Sequence, residues 1–513
     1  MKVNVYRHND RGAPTLSGSV GGALTALTTV LEIGYPSASV TITRSGSTAT
    51  ASHTAHGFMD YQEVTISGAV EPEYNGRVRI SYIDANSYSY EVTGTPTTPA
   101  TGTILAGGEK TVGTTTLTRS GTTVTADCTG HGFTVGELSR IVGADQMQYN
   151  GWWEVATTPD ADTYTFEIWP GYAPDTPATG TIVSRYGKCG AGWSLEYSGT
   201  NKKAWKQGAR GSLSQMYLRA DQSHATYHQK CIQLMMVDSM TGIDTLTNPA
   251  YADYNPQKVG QWISGSNDTT ARDWVIAADE RTIIMMNRPE EAGDAAATTH
   301  WALSYHGDAF DYVPDHAYPQ ASCAGLHAGS SGYNLSSSAA LAGYCGYFSY
   351  GSHGFPQYTS LSGGYTDSGY PWRMLRHHDS SATYMVCRIR DPIGIAWCLS
   401  SAAGNYPALG HYTDTGDGTT NNVDEYPDDM HGGINMTRPL IVHGHDSPST
   451  GADVVRGELK AVWTPQHRRP AGWASGDLFR GSGQLAGKVF EVFFLNGVGT
   501  PWMLLEVSDT WDD

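Results

Sequence analysis

Long apolar runs are missing from this 513-residue sequence. No stretch approaches the ~18 residues that a membrane-spanning helix needs. The start, Met1-Lys2-Val3-Asn4-Val5-Tyr6-Arg7-His8, has no apolar centre of a secretory signal. The expectation is a chain made in a cytoplasm, with no membrane span. Charge is scarce too: Asp, Glu, Lys and Arg make up 16% of residues, against a usual ~25%. That charge leans acidic, 50 Asp plus Glu against 32 Lys plus Arg, for a net of −18. A chain this acidic repels a phosphate backbone, which argues against nucleic acid as its partner. Cysteine is sparse and scattered, at 128, 189, 231, 323, 345, 387 and 398, with no Cys-x-x-Cys pair. Neither a disulfide framework nor a zinc site is indicated, and buried free thiols are expected.

The familiar catalytic motifs are also missing. There is no Gly-x-x-x-x-Gly-Lys-Ser/Thr, no Gly-x-Gly-x-x-Gly after a strand, no His-Glu-x-x-His and no Gly-x-Ser-x-Gly. Nucleotide, dinucleotide, zinc-protease and serine-hydrolase chemistry therefore lose their usual support.

Glycine, by contrast, is abundant at 60 residues, with 30 Tyr and 14 Trp spread along the chain. Turn-rich, aromatic-rich and charge-poor composition suits many short strands joined by tight turns. So many aromatics exclude low-complexity disorder. The fold class expected is mainly β.

One segment is written twice. Thr43-Arg44-Ser45-Gly46 recurs as Thr118-Arg119-Ser120-Gly121, His56-Gly57-Phe58 as His131-Gly132-Phe133, and Tyr74-Asn75-Gly76 as Tyr149-Asn150-Gly151, all at an offset of 75. Asp84-Ala85-Asn86 then matches Asp160-Ala161-Asp162 at 76, and Pro99-Ala100-Thr101-Gly102-Thr103-Ile104 matches Pro177-Ala178-Thr179-Gly180-Thr181-Ile182 at 78. The slow positive drift is what loop insertions produce. Each unit reads as short alternating strands separated by Ser45-Gly46, Asn75-Gly76 and Asp84-Ala85-Asn86 turns, a small sandwich or barrel module. The repeated His and Phe read as structural: each His sits beside a turn glycine, and each Phe anchors a core.

These units resemble the Ig-like β-modules that recur in tailed-bacteriophage virion proteins. On that resemblance the chain divides into 1–38, the first part of a large domain; 39–108 and 109–184, two tandem Ig-like β-sandwich modules; and 185–513, the rest of the large domain. The flanks support an insertion. Leu24, Leu27 and Leu31 follow helical spacing and Gly34 stands ready to cap, so a short amphipathic helix precedes the seam. Tyr186-Gly187-Lys188-Cys189 resumes after it.

The large domain is read as β-rich with one or two helices. Val275-Ile276-Ala277-Ala278 and Thr282-Ile283-Ile284-Met285-Met286 make a strand pair around Asp279-Glu280-Arg281, and 488–495 with 502–507 a hairpin. Five blocks resemble a widespread family of phage and prophage virion proteins. They are Gly12-Ala13-Pro14-Thr15-Leu16-Ser17-Gly18; Gly192-Trp193-Ser194 with Ser198 through Ala204, running on to Gln207-Gly208 and Tyr217-Leu218-Arg219; Trp274 through Thr282; Ser304-Tyr305-His306-Gly307-Asp308-Ala309-Phe310; and Leu504-Leu505-Glu506-Val507-Ser508-Asp509-Thr510-Trp511. Residues 320–430, rich in Gly, Ser and Tyr, have no match. The resemblance implies a virion component of the tail, neck or baseplate, and brings no catalytic residue with it.

Four clusters carry residue types suited to chemistry. His443-Gly444-His445-Asp446 and His377-His378-Asp379 have metal-ligating residue types but no third ligand at a convincing spacing. Asp414, Asp417, Asp424, Glu425, Asp428 and Asp429 are acidic enough for calcium or a glycosidase pair, yet lie among loop residues that keep carboxylates hydrated. Tyr344, Tyr347, Phe348, Tyr350, Tyr358, Tyr365 and Tyr370 suit sugar stacking or a subunit interface. No catalytic, cofactor-binding or metal residue is assigned, and the chain is read as no enzyme and as needing no cofactor. The leading function is a structural part of a tailed-phage virion, assembled in the host bacterial cytoplasm. Its expected partners are other virion proteins and further copies of itself. The alternatives are a host-surface glycan-binding adhesin or tail fibre, a capsid decoration protein and, last, a glycan depolymerase.

Overall fold

The computed structural model describes residues 2–169, 171, 173–223, 231–249, 261–264, 268–288, 301–311, 320–328, 375–376, 382–390, 397–400, 434, 436–438, 440–443, 454–465, 473–494 and 502–512. The chain is mainly β, built from antiparallel sheets with one short α-helix, Gly22–Thr28. No helix among the described residues is long and apolar enough to cross a membrane. Two compact units divide the chain: Tyr6–Pro14 with Leu27–Ser194, and Met1–Val5, Thr15–Ala26 and Leu195–Asp513.

The first of these units holds both repeats. In repeat 1, strands Ser37–Ser39, Gly102–Gly107, Glu63–Ala69 and Gly76–Arg79 form one sheet, and Thr41–Ser45, Thr48–Ser52, Ser87–Glu91 and Ser81–Asp84 form another. Strand alternation supplies the core between them. Ala49 and Ala51, Val64 and Ile66, Tyr88 and Tyr90, Ile104 and Ala106 point inward and are buried. Repeat 2 uses the corresponding strands with one difference. Gly151–Thr157 runs unbroken and pairs with both Leu138–Ala144 and Thr163–Glu167, joining the two sheets into one seven-stranded path.

The Pro-Ala-Thr-Gly motif has a steric cause. A Cβ on Gly102 would lie 2.3 Å from the Gly68 carbonyl oxygen, and one on Gly180 would lie 2.2 Å from that of Gly143. Both have φ above +80°, where a side chain is already disfavoured.

The unit extends past the repeats on both sides. Gly34–Tyr35 pairs with Lys188–Cys189, which closes the base of the pair. Asp10 is the hub there. It accepts hydrogen bonds from the Tyr35 hydroxyl, from Lys188 Nζ at 3.1 Å and from the Arg7 N–H at 2.8 Å. Lys188 Nζ also lies 4.4 Å from the Trp152 ring centre. Burial pushes the Lys188 ammonium down and the Tyr35 phenol well up, each countered or reinforced by Asp10. The helical stretch expected from Leu24, Leu27 and Leu31 is α over Gly22–Thr28 and then widens into a π turn, Thr29–Ile33, capped by Gly34. Val30 and Leu31 of that turn are buried.

In the other unit, Trp274–Ala278, Ile283–Asn287, Ala302–Asp308, Gln320–Ala328 and Ala382–Arg390 are successive antiparallel neighbours. Both faces of the first two are buried along their whole length. That matches their unbroken apolar sequence rather than an alternating one. Val489–Phe494 and Trp502–Glu506 form the second pair, with Phe493 opposite Met503. Val275, Ile284, Leu303, Tyr305, Phe493 and Leu505 share one core.

Candidate binding surface on the first repeat

Residues common to the two repeats hold the module together. Arg44 donates from Nε and Nη2 to the Pro96 carbonyl at 3.2 and 3.0 Å, and Arg119 does the same to Pro174 at 3.2 and 3.1 Å. Asn75 accepts from the Ala69 N–H and donates back to the Ala69 carbonyl; Asn150 repeats both bonds with Ala144. The hydroxyls of Tyr74 and Tyr149 donate to the carbonyls of Thr97 and Asp175. His56 accepts the Phe58 N–H on Nδ1 at 2.9 Å while Nε2 meets the Asp84 carbonyl at 2.8 Å. His131 accepts the Phe133 N–H at 2.9 Å and meets the Asp160 carbonyl at 3.2 Å. Every one of these side chains is spent on loops that a small sandwich cannot otherwise fasten.

Chemistry that differs must therefore be sought where the copies differ. Tyr61 and Gly136 occupy one position, since Tyr61 N–H bonds the Ile80 carbonyl and Gly136 N–H the matching Val155 carbonyl. Both have positive φ, 59° and 86°, a conformation suited to glycine and disfavoured for tyrosine. Tyr61 is nonetheless 66% exposed. The Arg79 guanidinium lies 5.4 Å from its ring centre and donates to its carbonyl. Glu154 stands at the place of Arg79 in repeat 2. Tyr82 is exposed beside them, its N–H bonded to Asp60.

A shallow groove of about 540 Å³ opens on the same repeat, lined in part by Ser39, Thr41, Ser52, Thr54, Asp84 and Ser87. In repeat 2 the place of Ser52 is taken by Asp127, whose carboxylate accepts from Thr163 at 3.2 Å. The groove can offer hydroxyl hydrogen bonds to a polar ligand. Asp84 is its carboxylate, and the Asn86 N–H and then the Ser87 hydroxyl hold it below the usual carboxylate range. Such a group stays ionised and is ill suited to be a general acid.

The large unit carries a different polar centre. The Asp279 carboxylate accepts the N–H groups of Arg281 at 2.7 Å and Thr282 at 2.6 Å, which shapes the turn between Trp274–Ala278 and Ile283–Asn287. Arg281 Nε donates to both oxygens of Asp308 at 3.0 and 2.8 Å, Nη1 to the Gly208 carbonyl and Nη2 to that of Ser214. Gln320, directly across the sheet from Asp308, donates to its carboxylate, and Gln207 bonds Gln320 in turn. Gly307 makes this possible: at φ +136°, a Cβ there would lie 2.3 Å from the Arg281 carbonyl oxygen. Burial pushes the Asp279 carboxyl up to about 7 and the nearby His306 imidazole down to about 3. Arg281, Asp308 and Asp279 are each at most 1% exposed. The cluster locks the sheet and is closed to solvent.

The clusters weighed from sequence, at 377–379, 414–429 and the aromatics of 344–370, lie outside the described residues, as does 444–446 beside His443. Among the described residues no three His, Cys, Asp or Glu side chains group closely enough to hold a metal. Cys128 and Cys189 are buried free thiols. Sequence reasoning missed Tyr61 and His53, although the offset of 75 already set them against Gly136 and Cys128. It missed the Arg281 and Asp308 pair because nothing local marks it.

Fold and surface together define a mainly β protein with two tandem β modules made from one pattern. No protein family and no curated protein sequence matches the chain. Among solved structures, it is similar to the phage phi92 endosialidase at 10% identity, over 94% of this chain and 89% of that one, with a TM-score of 0.17. A score that low carries no argument about fold or activity.

Proposed function

We propose that this chain is a structural component of a tailed-phage virion, associated with the neck, tail or baseplate, and that its tandem modules are Ig-like and displayed at the surface. The observation that carries the reading is the pair itself. Two copies of one small β module keep the residues that fasten loops and vary in the residues that meet solvent. A module whose shared chemistry is architectural suits attachment and display. The five sequence blocks resembling phage virion proteins agree with it, and two of them, 274–282 and 304–310, supply the polar centre and core strands of the large unit. The large unit is then the part that contacts other virion proteins and further copies of this chain.

The test is to find the protein in the particle. Purified virions are analysed by mass spectrometry and imaged by electron cryomicroscopy. The expected result is a symmetric set of copies whose large units are enclosed by neighbouring virion proteins. Absence from purified particles, despite expression during infection, overturns the proposal.

A second reading is host-surface glycan binding, favoured by the exposed Tyr61, Arg79 and Tyr82 of repeat 1. It calls for the modules at a distal tip of the particle, not along its shaft.

A further inference from the structure

The two repeats provide a comparison within one chain. His53 follows strand Thr48–Ser52 and continues its inward alternation after Ala49 and Ala51, leaving it 2% exposed. Its backbone is satisfied, with the N–H bonded to the Asn86 carbonyl at 2.8 Å. Its side chain is not: neither ring nitrogen has a hydrogen-bond partner among the described residues. Aromatic rings pack against it, and it also forms part of the groove lining on this repeat. Phe58 and Tyr88 meet it edge-on, with centroids at 5.3 and 6.1 Å, and the His56 ring lies at 5.9 Å. Repeat 2 builds the same place with Cys128, 1% exposed, its N–H bonded to the corresponding Asp162 carbonyl at 2.7 Å. The backbone is the same, but a thiol takes up no proton in acid.

We propose that His53 makes the first repeat an acid-releasable module, while the second, with Cys128 in its place, keeps its fold through the same acid range. A proton on His53 creates two buried N–H donors with no hydrogen-bond partner among the described residues, which is strongly unfavourable. The groups around it give no compensation. His56 comes from the following loop with both nitrogens already bonded, Tyr88 from strand Ser87–Glu91, and Lys110 from strand Lys110–Thr114 adds positive charge. The carboxylate of Asp84, in strand Ser81–Asp84, is occupied by the Asn86 N–H and the Ser87 hydroxyl.

Burial, then Lys110 and His56, push the His53 imidazole from 6.5 down to about 4. The unfolded chain thus takes up this proton near pH 6.5 and the folded module only near pH 4. Between those limits the unfolded state binds more protons, so the module loses stability as pH falls through that window. Above and below it the contribution is flat. Inside it, opening grows by up to about tenfold per pH unit.

Hydrogen exchange of the full chain at pH 7 and pH 5, corrected for the intrinsic rate, tests this by mass spectrometry. Peptides covering 48–58 and 87–92 report repeat 1, and 123–133 with 163–168 report repeat 2. Local readout is needed because His306 adds an acid-sensitive contribution in the large unit. Protection in repeat 1 should fall by about 20-fold, and that in repeat 2 by less than threefold. His53→Cys should abolish the difference, and Cys128→His should confer acid opening on repeat 2. Equal changes in the two wild-type repeats overturn the proposal, as does an unchanged fall in His53→Cys. If either variant fails to fold, histidine NMR of the wild-type chain decides: His53 titrating above pH 6 overturns the proposal, and His53 staying neutral to pH 5 supports it.

Discussion

Removing the carboxylate of Asp308 should unfold the large unit more readily than any surface change. Asp308 is 1% exposed and Arg281 fully buried, joined by Nε bonds of 3.0 and 2.8 Å to the two carboxylate oxygens. Arg210 stands a further 3.7 Å from the same carboxylate. In Asp308→Ala the Arg281 charge keeps its Gly208 and Ser214 carbonyls but loses its counter-ion in a medium that water does not reach. Breaking one side of a buried pair costs about 3–5 kcal/mol. At roughly 1.4 kcal/mol per factor of ten, that is on the order of a thousandfold in the folding equilibrium. Arg281→Met should cost less, because Asp308 keeps Arg210 at 3.7 Å and the Gln320 donor. The double variant Arg281→Met, Asp308→Leu strands neither, so its cost should fall short of the sum by at least ~2 kcal/mol. Urea unfolding of the full chain, with hydrogen exchange of 274–287 to isolate this unit, measures all three. A loss below ~1 kcal/mol in Asp308→Ala, or strict additivity in the double variant, would refute the reasoning.

Asn75→Ala and Asn150→Ala each strip both bonds from one buried backbone segment, so each should destabilise its own repeat by about 2 kcal/mol and by similar amounts. Unequal losses would show that the two modules are not fastened alike. Gly136→Tyr places a side chain at φ 86° with open space around it, and should lower the stability of repeat 2 by up to about 1 kcal/mol through backbone strain alone. Thermal melts resolve that change, and a gain would mean the conformation is not strained. Deleting 37–184 with a short linker leaves the segments of the large unit, Met1–Val5, Thr15–Ala26 and Leu195–Asp513, entire, so that unit should melt cooperatively as before. Aggregation of that variant would count against reading the repeats as an insertion.

The sequence alone determined everything that depends on neighbours along the chain. Alternation over 41–52 marks a strand of the repeat, and the apolar runs 275–278 and 283–286 mark a strand pair. The offset of 75 says that Asn75 and Asn150 do one job before either bond is seen. These features are legible because backbone geometry imposes them on every chain that folds locally in that way. Tertiary structure decided the rest. Asp10 meets Lys188 across 178 positions, Arg281 meets Asp308 across 27, and Gln207 reaches Gln320 across 113. Which distant polar groups meet is set by how sheets pack, and no local pattern encodes it. His53 shows the division most clearly. Its burial follows from strand alternation, but its two unbonded nitrogens depend on Phe58, Tyr88 and Lys110, which only the closed module brings around it.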